Sequence, residues 1–88
     1  MSTRHEIICW YTPVEWAKVR AISADADLMG PTFDEWLQRA ETLAKHFESI
    51  GATVTKVNIN ADTLLAFARS AHTYVIDDGV RMAFALSL

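Results

Sequence analysis

The sequence predicts an α+β domain: a two-layer sandwich with three helices packed on one face of a three- or four-stranded sheet, in the order β-α-α-β-α-β. Three observations carry this. Thr32 to Gly51 is a complete amphipathic helix with both ends marked, two β-rich runs flank it, and Val80 to Leu88 alternates strictly between large apolar residues and small or polar ones. A stripe as wide as that of the long helix needs a second layer to cover it. Residues 1–88 are too few for more than one domain.

Glu6 to Tyr11 reads as the first strand, and its apolar residues fall on both faces, as in an inner strand. Thr12, Pro13, Val14 and Glu15 form a capping box with proline at the first helical position, opening a helix to about Ala24. Gly30-Pro31 stops the chain before the long helix. There Thr32 caps and Glu35 completes the box. Phe33, Trp36, Leu37, Ala40, Leu43, Ala44, Phe47 and Ile50 share one face, and Gly51 ends it in a left-handed position.

Thr53 to Ile59 is rich in β-branched residues and reads as a second strand with one side wet or near an edge. Asn60 or Asp62 caps a third helix, from Ala61 to about Ala71, with Ala61, Leu64, Leu65 and Ala68 on its buried side. Asp78-Gly79 suits a hairpin turn, so Val80 to Leu88 is expected as a closing strand paired with Tyr74 to Ile76. Helix is the rival for that segment, because Met, Ala and Leu favour it. With every helix on one side, the other face of the sheet would stay open, which suits a homodimer.

Composition narrows the function classes. Eleven acidic and eight basic residues give a net charge of −3 without any basic cluster, which argues against nucleic acid as a partner. No segment approaches the roughly 18 apolar residues of a membrane span. The polar start from Ser2 to Glu6 and the short apolar run after it do not form an export signal. The single cysteine, Cys9, fits a reducing compartment, so the expected location is cytoplasmic. A hydrophobic content of 51% is rich for so small a body and favours a partner surface.

Few residues point to chemistry. Asp25-Ala26-Asp27-Leu28-Met29-Gly30 resembles the opening of an EF-hand calcium loop, but Met29 and Trp36 stand where that pattern wants oxygen ligands, so no metal is expected. Asp25, Asp27, Asp34 and Glu35 make an acidic stretch suited to a basic contact surface, although acids in a first helical turn also answer the helix dipole. Cys9 and the scattered His5, His46 and His72 lack zinc spacing, and a thiol inside an apolar strand is expected to be structural. Trp10, Tyr11, Trp16 and Trp36 are the candidate interaction or pocket residues.

No catalytic residue, cofactor or metal site is therefore expected. The leading expectation is a small non-catalytic protein-interaction or regulatory module that self-associates or binds another protein. One alternative is a small-molecule binder or modest enzyme with a Trp- and Tyr-lined pocket between the sheet and the first helix. Another is an acidic inhibitor of a nucleic-acid-binding protein.

Overall fold

A computed structural model describes residues 4–88; Ser2 and Thr3 of the polar start lie outside the described residues. The chain runs β1 (His5–Trp10), α1 (Pro13–Ile22), a short 3-10 helix (Ala26–Met29), α2 (Phe33–Ser49), β2 (Thr53–Asn58), α3 (Ala61–Ser70) and α4 (Asp78–Ser87). The helix starts carry side-chain caps. Thr12 and Thr32 accept from the amides of Glu15 and Glu35 at 3.3 and 3.2 Å, and Asn60 accepts from those of Asp62 and Thr63 at 2.9 and 3.2 Å. Each such cap stabilises its helix by about 1 kcal/mol. Gly51 takes a φ of 86°, which lets the chain leave α2 in the left-handed conformation.

The fold class departs from the expected one in its sheet. The structure has four helices and a two-stranded sheet in the order β-α-α-β-α-α, where a three- or four-stranded sheet with three helices was expected. Val80 to Leu88 is not a closing strand. Asp77 caps α4 by accepting from the Val80 amide at 3.0 Å, and the buried residues Arg81, Phe84 and Ala85 follow the three- and four-residue spacing of a helix. A strict alternation of period two also places Val80 and Phe84 four residues apart, so the pattern alone serves either structure. The Asp77 cap and the burial of Arg81, which pairs with the distant Asp25, decide it. Tyr74 to Ile76 contributes only a lone parallel bridge, Ile76 beside Ser23.

β1 and β2 are parallel, with Ile8 opposite Lys56 and Trp10 opposite Asn58. Successive side chains of β1 point to opposite faces. The Trp10 ring meets Trp36 of α2 at a centroid distance of 5.3 Å, while the Cys9 thiol on the other face reaches the Arg81 carbonyl of α4 at 3.6 Å. Helices therefore cover both faces. The open sheet face on which the expected dimer rested is replaced by a helix-sheet-helix arrangement.

The core lies where β2 ends and α1, α3 and α4 converge. Ile59, Leu64 and Val19 are its largest fully enclosed side chains, and burying each contributes about 1.5 to 3 kcal/mol. On α2 the buried stripe is narrower than its sequence suggests. Trp36, Ala40 and Ala44 are covered, whereas Leu43 and Ile50 are 44% and 54% exposed. Among the described residues, no helix is long and apolar enough to cross a membrane.

Candidate functional site

A cleft of about 410 Å³ follows the edge of β1 that faces away from β2. The strand lines it with Glu6, Ile7, Ile8, Cys9 and Tyr11. Trp36, Arg39, Ala40, Leu43 and Phe47 of α2 form one wall, and Asp78, Arg81 and Met82 of α4 form the other. Leu28 and Met29 of the 3-10 helix complete the lining. No residue of β2 takes part, so the cleft sits at the sheet's margin between the two helical layers. From Glu6 to Tyr11 the strand rises roughly 17 Å at about 3.3 Å per residue.

The strand's hydrogen bonds explain why this edge is free. The carbonyls of Arg4 and Trp10 accept from the Thr53 and Ile59 amides at 2.8 and 2.9 Å. Alternate residues of a parallel strand direct both backbone groups to the same side. Arg4, Glu6, Ile8 and Trp10 therefore face β2, while Ile7 and Cys9 turn theirs into the cleft. Among the described residues no hydrogen bond joins those groups to another element.

One wall is fixed by an ion pair that the sequence did not announce. Arg81 is only 4% exposed, and its two terminal nitrogens reach the two carboxylate oxygens of Asp25 at 2.7 and 2.9 Å. It also donates to Ser23 Oγ at 3.1 Å, and Asp25 accepts from the Asp78 amide at 2.9 Å. Two parallel charge-assisted bonds of this kind offset the cost of taking a guanidinium out of water. The Arg81 hydrogen bonds hold the Asp25 carboxyl below its ordinary value. Burial works against the charge on Arg81, but the bonds to Asp25 overcome it and leave that group above its ordinary value.

Two further groups of the lining, Cys9 and Tyr11, hold their protons more tightly than usual. Burial pushes up the Cys9 thiol, and the Arg81 charge offsets only part of that. Burial, and after it the neighbouring Cys9, likewise push up the Tyr11 phenol. At neutral pH Cys9 is a thiol that donates to a carbonyl, and a thiolate nucleophile is disfavoured. Arg39 is the other cation of the lining. It donates to the Leu28 carbonyl at 3.3 Å and among the described residues has no carboxylate partner. Gly30 makes room for it, because a Cβ there would stand 2.7 Å from Arg39 Nη2 and the φ of 82° is strained for any other residue.

The residues named from sequence separate into groups. Tyr11 and Trp36 line the cleft with centroids 5.1 Å apart. Trp10 meets Trp36 edge-to-face and carries Lys56 Nζ 4.3 Å above its ring. Trp16 is core, its indole donating to the Met29 carbonyl at 3.2 Å. The cleft lies between α2 and α4, and α1 does not line it. In the acidic stretch, Asp25 is engaged by Arg81, Asp27 lies in the first turn of the 3-10 helix, and Asp34 and Glu35 occupy the first turn of α2. Among the described residues, no three His, Cys, Asp or Glu side chains are grouped to hold a metal ion.

Arg81 was missed because it reads as the polar half of an alternating strand, and nothing local ties it to a residue 56 positions away. Arg39 was missed as an ordinary polar-face residue. No protein-family model, curated protein or solved structure matches the chain.

Proposed function

We propose that the protein is an interaction module that holds a segment of a partner protein in the cleft between α2 and α4. One observation carries the reading: the cleft follows β1 from Glu6 to Tyr11, a run of lining that suits an extended chain better than a compact ligand. Its lining fits the same role. Trp36, Tyr11, Leu43, Phe47 and Met82 supply apolar and aromatic contact, the kind that dominates binding energy at interfaces. Arg81 is engaged by Asp25, and the Cys9 thiol holds its proton.

Leu43→Glu tests this, because Leu43 is 44% exposed and the change puts a charge in the cleft without emptying the core. The wild type, used as bait in an extract of the cells that express it, should retain a partner that the variant loses, with melting temperatures within about 2 °C of each other. Equal retention by both proteins would place the binding surface elsewhere and refute the proposal.

A further inference from the structure

β1 has the composition of an inner strand and the position of an edge strand. Ile7, Ile8, Cys9 and Trp10 carry apolar side chains to both faces, and helices cover both, yet only one edge is paired. On the other edge the N–H and C=O groups of Ile7 and Cys9 point into the cleft between α2 and α4. Backbone groups left unpaired beside apolar walls are costly, and an incoming extended chain satisfies them in register.

The far edge of the sheet is different. β2 is mostly exposed there, with Thr53, Thr55 and Lys56 in solvent, and a lysine on an edge discourages pairing. The channel beside β1 also selects against a second copy of the protein. α2 and α4 both line the channel beyond the strand, so a second β1 would bring its own pair of walls into the space these occupy. A bare extended segment meets no such conflict. Of the lining's charges, Arg81 is answered by Asp25, Glu6 by Arg4, and Asp78 lies 3.9 Å from Arg81, while among the described residues Arg39 has no carboxylate partner and is the cation left for an acid of the incoming segment.

We propose that an extended segment of the partner adds to β1 as a third strand. It is hydrogen-bonded to Ile7 and Cys9, with alternate apolar side chains against Trp36 and Leu43 on one face and Met82 on the other. An aspartate or glutamate of the segment faces Arg39. The proposal rests on the cleft being a protein-binding site and adds the conformation and chemistry of what binds.

The probe is a displayed library of random ten-residue peptides selected on the intact protein, with the Leu43→Glu variant as counter-target. Selected peptides should alternate apolar residues around one acid. A synthetic copy should slow amide exchange at Ile7 and Cys9 at least tenfold. N-methylation of the peptide at the alternate residues that face β1 should weaken binding at least tenfold, while methylation of the intervening residues should not. Arg39→Gln should weaken it about tenfold, and exchanging the peptide's acid for its amide should have the same effect on the wild type but little on that variant.

Peptides that bind the cleft as helices, or that leave the Ile7 and Cys9 amides exchanging freely, would overturn strand addition while leaving the interaction role intact. No enrichment over the Leu43→Glu counter-target would overturn strand addition, and the interaction role would then stand or fall on the bait experiment. A dimer in sedimentation with Ile7 and Cys9 protected would overturn the choice of occupant.

Discussion

Asp25→Asn isolates the ion pair that anchors α4, and the structure sets the size of its effect. The substitution keeps the shape of the side chain but removes the charge opposite a guanidinium that is 4% exposed. Arg81 would then keep one weakened hydrogen bond to the amide oxygen, its bond to Ser23 Oγ at 3.1 Å, and a distant Asp78 carboxylate at 3.9 Å. Breaking a buried pair from one side costs about 3 to 5 kcal/mol, and the partial exposure of Asp25 argues for the low end, about 3 kcal/mol. For a domain of this size that lowers the melting temperature by roughly 12 to 24 °C. It is a large share of a total stability of roughly 4 to 13 kcal/mol. Asp25 thereby anchors Arg81 of α4 to the loop before the 3-10 helix.

The companion variant is Asp25→Asn combined with Arg81→Met, which removes both charges and keeps most of the buried volume. It should recover most of the loss, because an isolated buried charge is costly whereas an apolar replacement of the pair is close to neutral. Urea denaturation of the two single variants and the double variant completes the cycle. If Asp25→Asn costs under about 1 kcal/mol, the pair behaves like an exposed one and the anchoring argument fails. Simple addition of the two single losses would refute it as well.

Acid should destabilise through the same carboxyl. Its folded value lies below the ordinary 3.8, so its contribution is complete above that value and is lost as pH falls through the folded one, and Asp25→Asn should flatten that limb in acid titrations. At the alkaline end, Cys9 and Tyr11 hold their protons more tightly when folded, so their contribution is complete below about pH 9 and is lost as pH rises beyond it. Gly79→Ala should raise stability by about 0.5 to 1 kcal/mol, because Gly79 lies in the first turn of α4 and the added Cβ meets only Asp77 Oδ1 at 3.4 Å. Destabilisation in thermal melts would favour the hairpin turn instead. Trp36→Ala, which removes ring contacts with Trp10, Tyr11 and Phe33, should cost about 3 to 5 kcal/mol, against almost nothing for the exposed Glu41→Ala. Equal costs at the two positions would mean that α2 is rotated from the face described. Calcium should leave the melting temperature unchanged at sub-millimolar concentration, since Arg81 already occupies the Asp25 carboxylate; a saturable heat in calorimetry would contradict this.

By itself the sequence determined the local structure wherever a signal acts over a few residues. The caps at Thr12, Thr32 and Asn60, the left-handed Gly51 and the β-branched run from Thr53 each impose their geometry on the chain next to them, and α1, α2, β2 and α3 begin and end close to where those residues place them. Tertiary structure decided what depends on distant partners. Val80 to Leu88 carries a pattern compatible with either periodicity. It became α4 through the Asp77 cap and through burial of Arg81 against Asp25, a contact between segments far apart in sequence. The apolar character of β1 on both faces was legible as an inner strand, but the sequence could not say that one of its neighbours would be absent. Only the packing of α2 and α4 on opposite faces leaves that edge open, because strand pairing is a property of the assembled sheet and no single strand encodes it.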